Sequence, residues 1–96
     1  MATYLILARY TPQGTTNLQQ LPDQEELARQ FGSRGVELKA FYLTMGQYDV
    51  AAVIEAPDEA AAVRVAGGIA AQGNVSTETL RAFTTDEFRQ LVATSS

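Results

Sequence analysis

Residues 40–58 read AFYLTMGQYDVAAVIEAPD. Two apolar arms flank an interruption that holds one glycine, and Pro57-Asp58 ends the second arm abruptly. Arms of this length, rich in aromatic and β-branched residues around a short Gly-bearing connection, spell a β-hairpin. Strands are therefore expected over residues 36–43 and 48–55, with Gly46 taking the positive φ that such turns require. Pairing Ala40 with Val50 is the assumed register; it puts Phe41 and Leu43 on the same face as Ala51 and Val53.

Upstream, residues 3–10 (TYLILARY) are β-branched, aromatic and aliphatic up to the turn signal Thr11-Pro12, which predicts a first strand. Thr11 suits an N-cap with Pro12 at the first helical position, although Gly14 and two threonines weaken the helix that follows. Pro22 breaks it, and Asp23 with Glu26 three residues on reads as a capping box that restarts it. Leu18, Leu21, Ala28 and Phe31 recur at helical spacing as one apolar face, and Gly32 and Gly35 end the helix.

Downstream, Asp58 is a suitable N-cap for EAAAVRVAGGIAAQ, whose Ala62, Val65, Ala66 and Ile69 form a narrow stripe of mostly small residues. Gly67-Gly68 inside this helix costs about 1 kcal/mol per glycine against alanine, which predicts close approach of helix to sheet there. Gly73-Asn74 ends it. Residues 75–83 read as the least apolar strand and hence an edge. Thr84 and Glu87 form a second capping box with Phe83 and Phe88 as a hydrophobic staple. A short helix to about residue 92 follows, with fraying expected over residues 93–96.

The order β-α-β-β-α-β plus a last helix predicts one α+β domain over residues 1–96, a ferredoxin-like sandwich with an antiparallel sheet in spatial order 4-1-3-2. Both main helices then cover one face. Alternation along the strands assigns Tyr4, Ile6, Ala8, Val50, Ala52 and Ile54 to the covered side. Leu5, Leu7, Ala51 and Val53 fall on the other side, with Arg9, Asp49 and Glu55 at its ends. An apolar centre rimmed by charge on a bare face predicts a homodimer packing sheet against sheet, or a ligand cleft.

Composition narrows the chemistry. Among 96 residues there are 7 Lys+Arg and 11 Asp+Glu, a net charge of −4, and no His or Cys. An acidic chain lacks the broad basic surface that nucleic acid needs. Without thiols or imidazoles, disulfides, thiolate nucleophiles and the commonest transition-metal ligands are absent. Asp23, Glu25 and Glu26 answer a helix dipole rather than a metal, and no cofactor motif is present. No segment approaches the roughly 20 apolar residues of a membrane helix, and the lack of a targeting signal makes the cytoplasm the expected compartment.

The stretches AFYLTMGQYDV, EAPD, TYLILARYTPQG and TETLRAFTTDEF together resemble the GYD domain family, small bacterial and archaeal proteins labelled for a glycine near a Tyr-Asp pair. Here Gln47 separates Gly46 from Tyr48-Asp49. The resemblance covers nearly the whole chain and implies a ferredoxin-like fold of the dimeric α+β barrel type. It implies no activity.

Tyr48 and Asp49 are the first ligand-binding candidates, since a phenol and a carboxylate could hold or deprotonate a small molecule. The structural alternative has Tyr48 plugging the core under the first helix while Asp49 pairs with Arg81 in a salt bridge. Arg9 either anchors an anionic ligand or pairs with Glu55 on an adjacent strand taken as parallel. Tyr10, Lys39 and Tyr42 are further cleft candidates. The functional expectation is a dimeric domain that binds a small ligand between sheet and helices or acts as an interaction module. The alternative is a cofactor-independent enzyme, monooxygenase or isomerase-like, by analogy of fold. A cleft above about 300 Å³ with convergent polar groups would favour ligand or substrate.

Overall fold

The computed structural model describes residues 1–94. Strands β1 (Ala2–Tyr10), β2 (Glu37–Leu43), β3 (Val50–Ala56) and β4 (Val75–Ala82) form one antiparallel sheet in the order β2-β3-β1-β4. This is the expected 4-1-3-2 arrangement, with β4 at an edge. Helix α1 (Pro12–Thr16), a 3-10 turn (Leu18–Gln20) and helix α2 (Gln24–Gly32) join β1 to β2; α3 (Glu59–Ala71) joins β3 to β4, and α4 (Thr85–Thr94) closes the chain.

The caps read from sequence form. The Thr11 side chain accepts from the Gly14 N–H, Asp23 from Glu26, and Asp58 from Ala61, so each helix start satisfies a backbone donor that has no partner within the helix. The second capping box is reciprocal: Thr84 N–H donates to Glu87 Oε1 at 2.8 Å and Glu87 N–H donates to Thr84 Oγ1 at 3.1 Å. Helix α4 runs through Ala93 and Thr94, beyond the expected end, and the fraying expected of residues 95 and 96 lies outside the described residues.

The core lies between one sheet face and helices α2 and α3. Tyr4, Ile6, Ala52, Ile54 and Ala56 point into it from the sheet and meet Phe31 and Val36 on one side, Ala61, Ala62, Val65 and Ala66 on the other. Alanines on both partners let α3 seat against the strands, and the hydrophobic effect on this buried surface, about 25 cal/mol per Å², drives the layer together. Leu27 packs against this cluster, whereas Leu18, expected on the inner face, is 46% exposed. Proline 22 turns the chain before α2, so the 3-10 turn does not share the stripe of α2.

Two expectations from the hairpin fail. Ala40 pairs with Val53 and Leu43 with Val50, because the turn takes in residues 44–49; the register then shifts by one more residue between Leu38 and Ala40. Lys39 is thus the extra residue of a bulge, which reverses the alternation beyond it. Phe41, opposite Ala52, belongs to the helix-covered side and packs on the core; Leu43 shares that side; Ala40 and Tyr42 take their places on the open side. The Gly67-Gly68 expectation is also corrected. A Cβ on Gly67 would meet nothing within 4 Å, and one on Gly68 would meet Nη1 of Arg34 at 2.9 Å, so Gly68 makes room for a side chain and neither glycine marks a close approach to the sheet.

Candidate functional site

The turn that carries the Gly-Tyr-Asp residues spans positions 44–49 and is closed by its own hydrogen bonds. Gly46 takes φ +103°, Thr44 N–H donates to the Asp49 carbonyl at 2.8 Å, and Thr44 Oγ1 donates to the Tyr48 carbonyl at 2.6 Å. Both Tyr48 and Asp49 lie in the turn rather than in β3, so period-two alternation does not govern their directions. Asp49 ties the turn to the end of β1: its N–H donates to the Ala8 carbonyl at 2.8 Å, and its Oδ2 accepts from the Tyr10 N–H at 2.9 Å. A carboxylate satisfying a backbone donor in this way is a structural joint.

Tyr48 does not plug the core. Its ring lies under Arg9, whose Cζ is 4.9 Å from the centroid, and its hydroxyl donates to Glu78 Oε2 at 2.5 Å. Arg9 and Glu78 belong to the face away from the helices, since they alternate with the covered residues of β1 and β4. The hydrogen bond to Glu78 raises the Tyr48 pKa above its ordinary value. Forming a phenolate beside a carboxylate is unfavourable, so Tyr48 is poorly suited to act as a base.

The two ion pairs expected from sequence are not formed. Glu55 pairs with Thr3 while Arg9 pairs with Ser76, six residues along an antiparallel β1, which places Arg9 and Glu55 about 20 Å apart along the strand. Arg81 pairs with Tyr4, whereas Asp49 docks at Ala8 and Tyr10, so these two also sit at opposite sheet ends. Arg81 instead donates to the carbonyls of Thr3 (3.1 Å) and Ala82, and its guanidinium lies 5.4 Å from the Tyr4 centroid and 4.3 Å from that of Phe83. Arg9 and Tyr48 meet on the open face, Asp49 holds only the backbone of Tyr10, whose side chain lines the hollow on the other face, and Arg81 stands apart from all of them.

A cleft of about 100 Å³ opens between the covered face and helices α2 and α3. Ile6, Ala8, Ala52, Phe31, Phe41 and Ile69 form its walls, and the polar groups of Tyr10, Gln30, Gln72, Asn74 and Thr77 lie around them. This is below the roughly 300 Å³ at which drug-sized sites begin. The sequence showed Tyr10 alone of these polar residues; the others are single amides and a hydroxyl scattered between positions 30 and 77, with no shared spacing to flag them. Among the described residues no group of three or more Asp, Glu, His or Cys is placed to hold a metal ion, and no helix is long and apolar enough to cross a membrane.

A four-stranded antiparallel sheet packed under helices α2 and α3, with a docked Gly-Tyr-Asp turn, defines a small α+β domain. The chain belongs to the GYD domain family, whose model matches residues 4–92. It is 37% identical over 87 residues to the glutamine synthetase and cystathionine beta-lyase binding protein of Thermus thermophilus, a match spanning 85% of this chain and 88% of that one. The crystal structure of TTHA0845 from Thermus thermophilus superposes with a TM-score of 0.61 at 25% identity, over 88% of this chain and 96% of the other.

Proposed function

We propose that the protein is a dimeric interaction module of ferredoxin-like, dimeric α+β barrel type, which pairs through its open sheet face and binds other proteins. One observation carries this reading. Leu5, Leu7, Ala40, Ala51, Val53 and Leu80 share a face that no helix among the described residues covers, with Arg9, Glu55 and Glu78 around it. Such a patch is costly to leave in water, and an apolar centre with a charged rim is the usual composition of a subunit contact. The name of the Thermus thermophilus relative, a protein that binds two enzymes, supports protein partners for this chain as well.

Sedimentation velocity tests the pairing. The wild-type protein is expected to sediment as a dimer at micromolar concentration, and Leu7→Asp is expected to weaken the dimer by about 100-fold with unchanged far-ultraviolet circular dichroism. A wild-type monomer under these conditions removes the proposal. A second reading, a small molecule held in the cleft between sheet and helices, is favoured by the polar groups of Gln72, Asn74 and Thr77 around an otherwise apolar hollow. The cofactor-independent enzyme is the weaker variant of that reading, because Asp49 is engaged by the Tyr10 amide and Tyr48 is held in its protonated form.

A further inference from the structure

We infer that the cleft takes a small monocarboxylate, its apolar body inside and its carboxylate outside on Arg34. The inference rests on the cleft-binding reading and is independent of the dimer. Apart from the phenol of Tyr10, no side chain lining the cleft is ionisable. A charge carried to the bottom of such a hollow would lose its hydration with nothing to replace it, so a charged ligand must keep its charge at the mouth.

A second, more polar hollow adjoins the cleft between α2 and α3 and shares Gln30, Phe31, Ile69 and Gln72 with it; its other residues include Ser33, Arg34 and Gly68. Arg34 is the one ionisable side chain of the two linings able to carry positive charge. Among the described residues its guanidinium forms no ion pair. Gly68 leaves room for that guanidinium, since a Cβ there would come within 2.9 Å of Nη1. A helix-interior glycine, costly in itself, thereby leaves space for an unpaired cation next to an apolar hollow. A planar guanidinium presents paired donors that match a carboxylate. A cleft of about 100 Å³, open at its mouth, suits a body of about the bulk of a phenyl ring or a short branched chain. Arg9, the anion anchor suggested by the sequence, is on the opposite sheet face and does not border this space.

The test is a heteronuclear NMR titration of the full chain with 3-phenylpropionate and, separately, the uncharged 3-phenylpropionamide, reading the backbone amides of Gln72, Asn74 and Thr77. The acid is expected to bind about fivefold tighter than the amide, a modest factor because Arg34 is exposed. Arg34→Gln should bring the acid down to the affinity of the amide while leaving the amide unaffected, and Gly68→Ala, which displaces the guanidinium, should do so in part. Val75→Phe, which fills the cleft from the edge strand, should abolish both. Equal binding of acid and amide to the wild type overturns the role of Arg34 while the cleft reading survives. If neither compound moves those amides at millimolar concentration, the cleft reading falls and this inference with it.

Discussion

The two faces of the sheet are made from the same strands and differ by one step of the pleat. On the covered face, Ala52 and Ala56 share one core with Ala61, Ala62 and Ala66 of α3, with Ile54 wholly buried among them. On the open face stand Leu5, Leu7, Val53, Tyr42 and Leu80, of which Tyr42 is 61% and Leu80 40% exposed. Both faces carry large apolar side chains, Tyr4, Ile6 and Ile54 on one and Leu5, Leu7 and Val53 on the other, but among the described residues only the first set packs under helices. On the proposed reading, the contrast separates residues that hold the monomer from residues available to a second surface.

Substitution at neighbouring positions breaks that comparison most directly. Ile54→Ala should lower unfolding free energy by about 3–4 kcal/mol in urea titrations, because it leaves a cavity in a closed core. Val53→Ala, one residue away, should cost under about 1 kcal/mol in a monomeric background such as Leu7→Asp. Equal losses at both sites would mean that the open face is part of the fold after all. Next in size is Gly14→Ala, where a Cβ would fall 1.9 Å from the Asn74 carbonyl oxygen and force the α1 corner off the loop before β4. A destabilisation of about 2 kcal/mol is expected.

Two changes in the hairpin turn sharpen the division. Asp49→Ala removes the acceptor of the Tyr10 amide and should cost about 1–2 kcal/mol, together with faster hydrogen exchange at Tyr10. Tyr48→Phe removes only the surface hydrogen bond to Glu78 and should leave the thermal midpoint unchanged. A large effect of Tyr48→Phe with none of Asp49→Ala would invert the roles assigned to the pair.

The smallest effect concerns α4. The Thr84 N–H, followed by weaker contributions from the Thr84 hydroxyl and Arg81, holds the Glu87 carboxyl below its ordinary pKa. A depressed folded-state pKa means stability that is present above the unfolded value and lost as pH falls through the folded one. The first turn of α4 should therefore loosen only in acid, below the ordinary glutamate range. Amide exchange at Glu87 and Phe88 should show this, while Glu87→Gln should remove that pH dependence.

The element types were legible because alternation and caps are local properties. The strand pattern of residues 3–10, the Asp58 cap and the reciprocal Thr84–Glu87 box each need only a few neighbouring residues to be recognised. Spatial order followed from connection rules. What escaped the sequence were properties set by one strand against another. The length of the turn, residues 44–49, was not written in its composition, so Phe41 and Tyr42 exchanged faces, and the bulge at Lys39 has no signature of its own. Taking β1 and β3 as parallel put Glu55 beside Arg9, where an antiparallel sheet sets it at the other end. Arg34 went unnoticed because it follows the end of α2, and its position depends on a glycine 34 residues later.

The bulge at Lys39 has one more effect. It interrupts β2, an outer strand of the sheet, beside an ion pair between Lys39 and Glu37 at 3.7 Å. A visiting strand therefore finds a bent, charged margin instead of a continuous row of amide and carbonyl groups. Growth by endless lateral addition, the route to fibrils, is discouraged there, and the molecule can keep an adhesive surface without becoming an aggregating one.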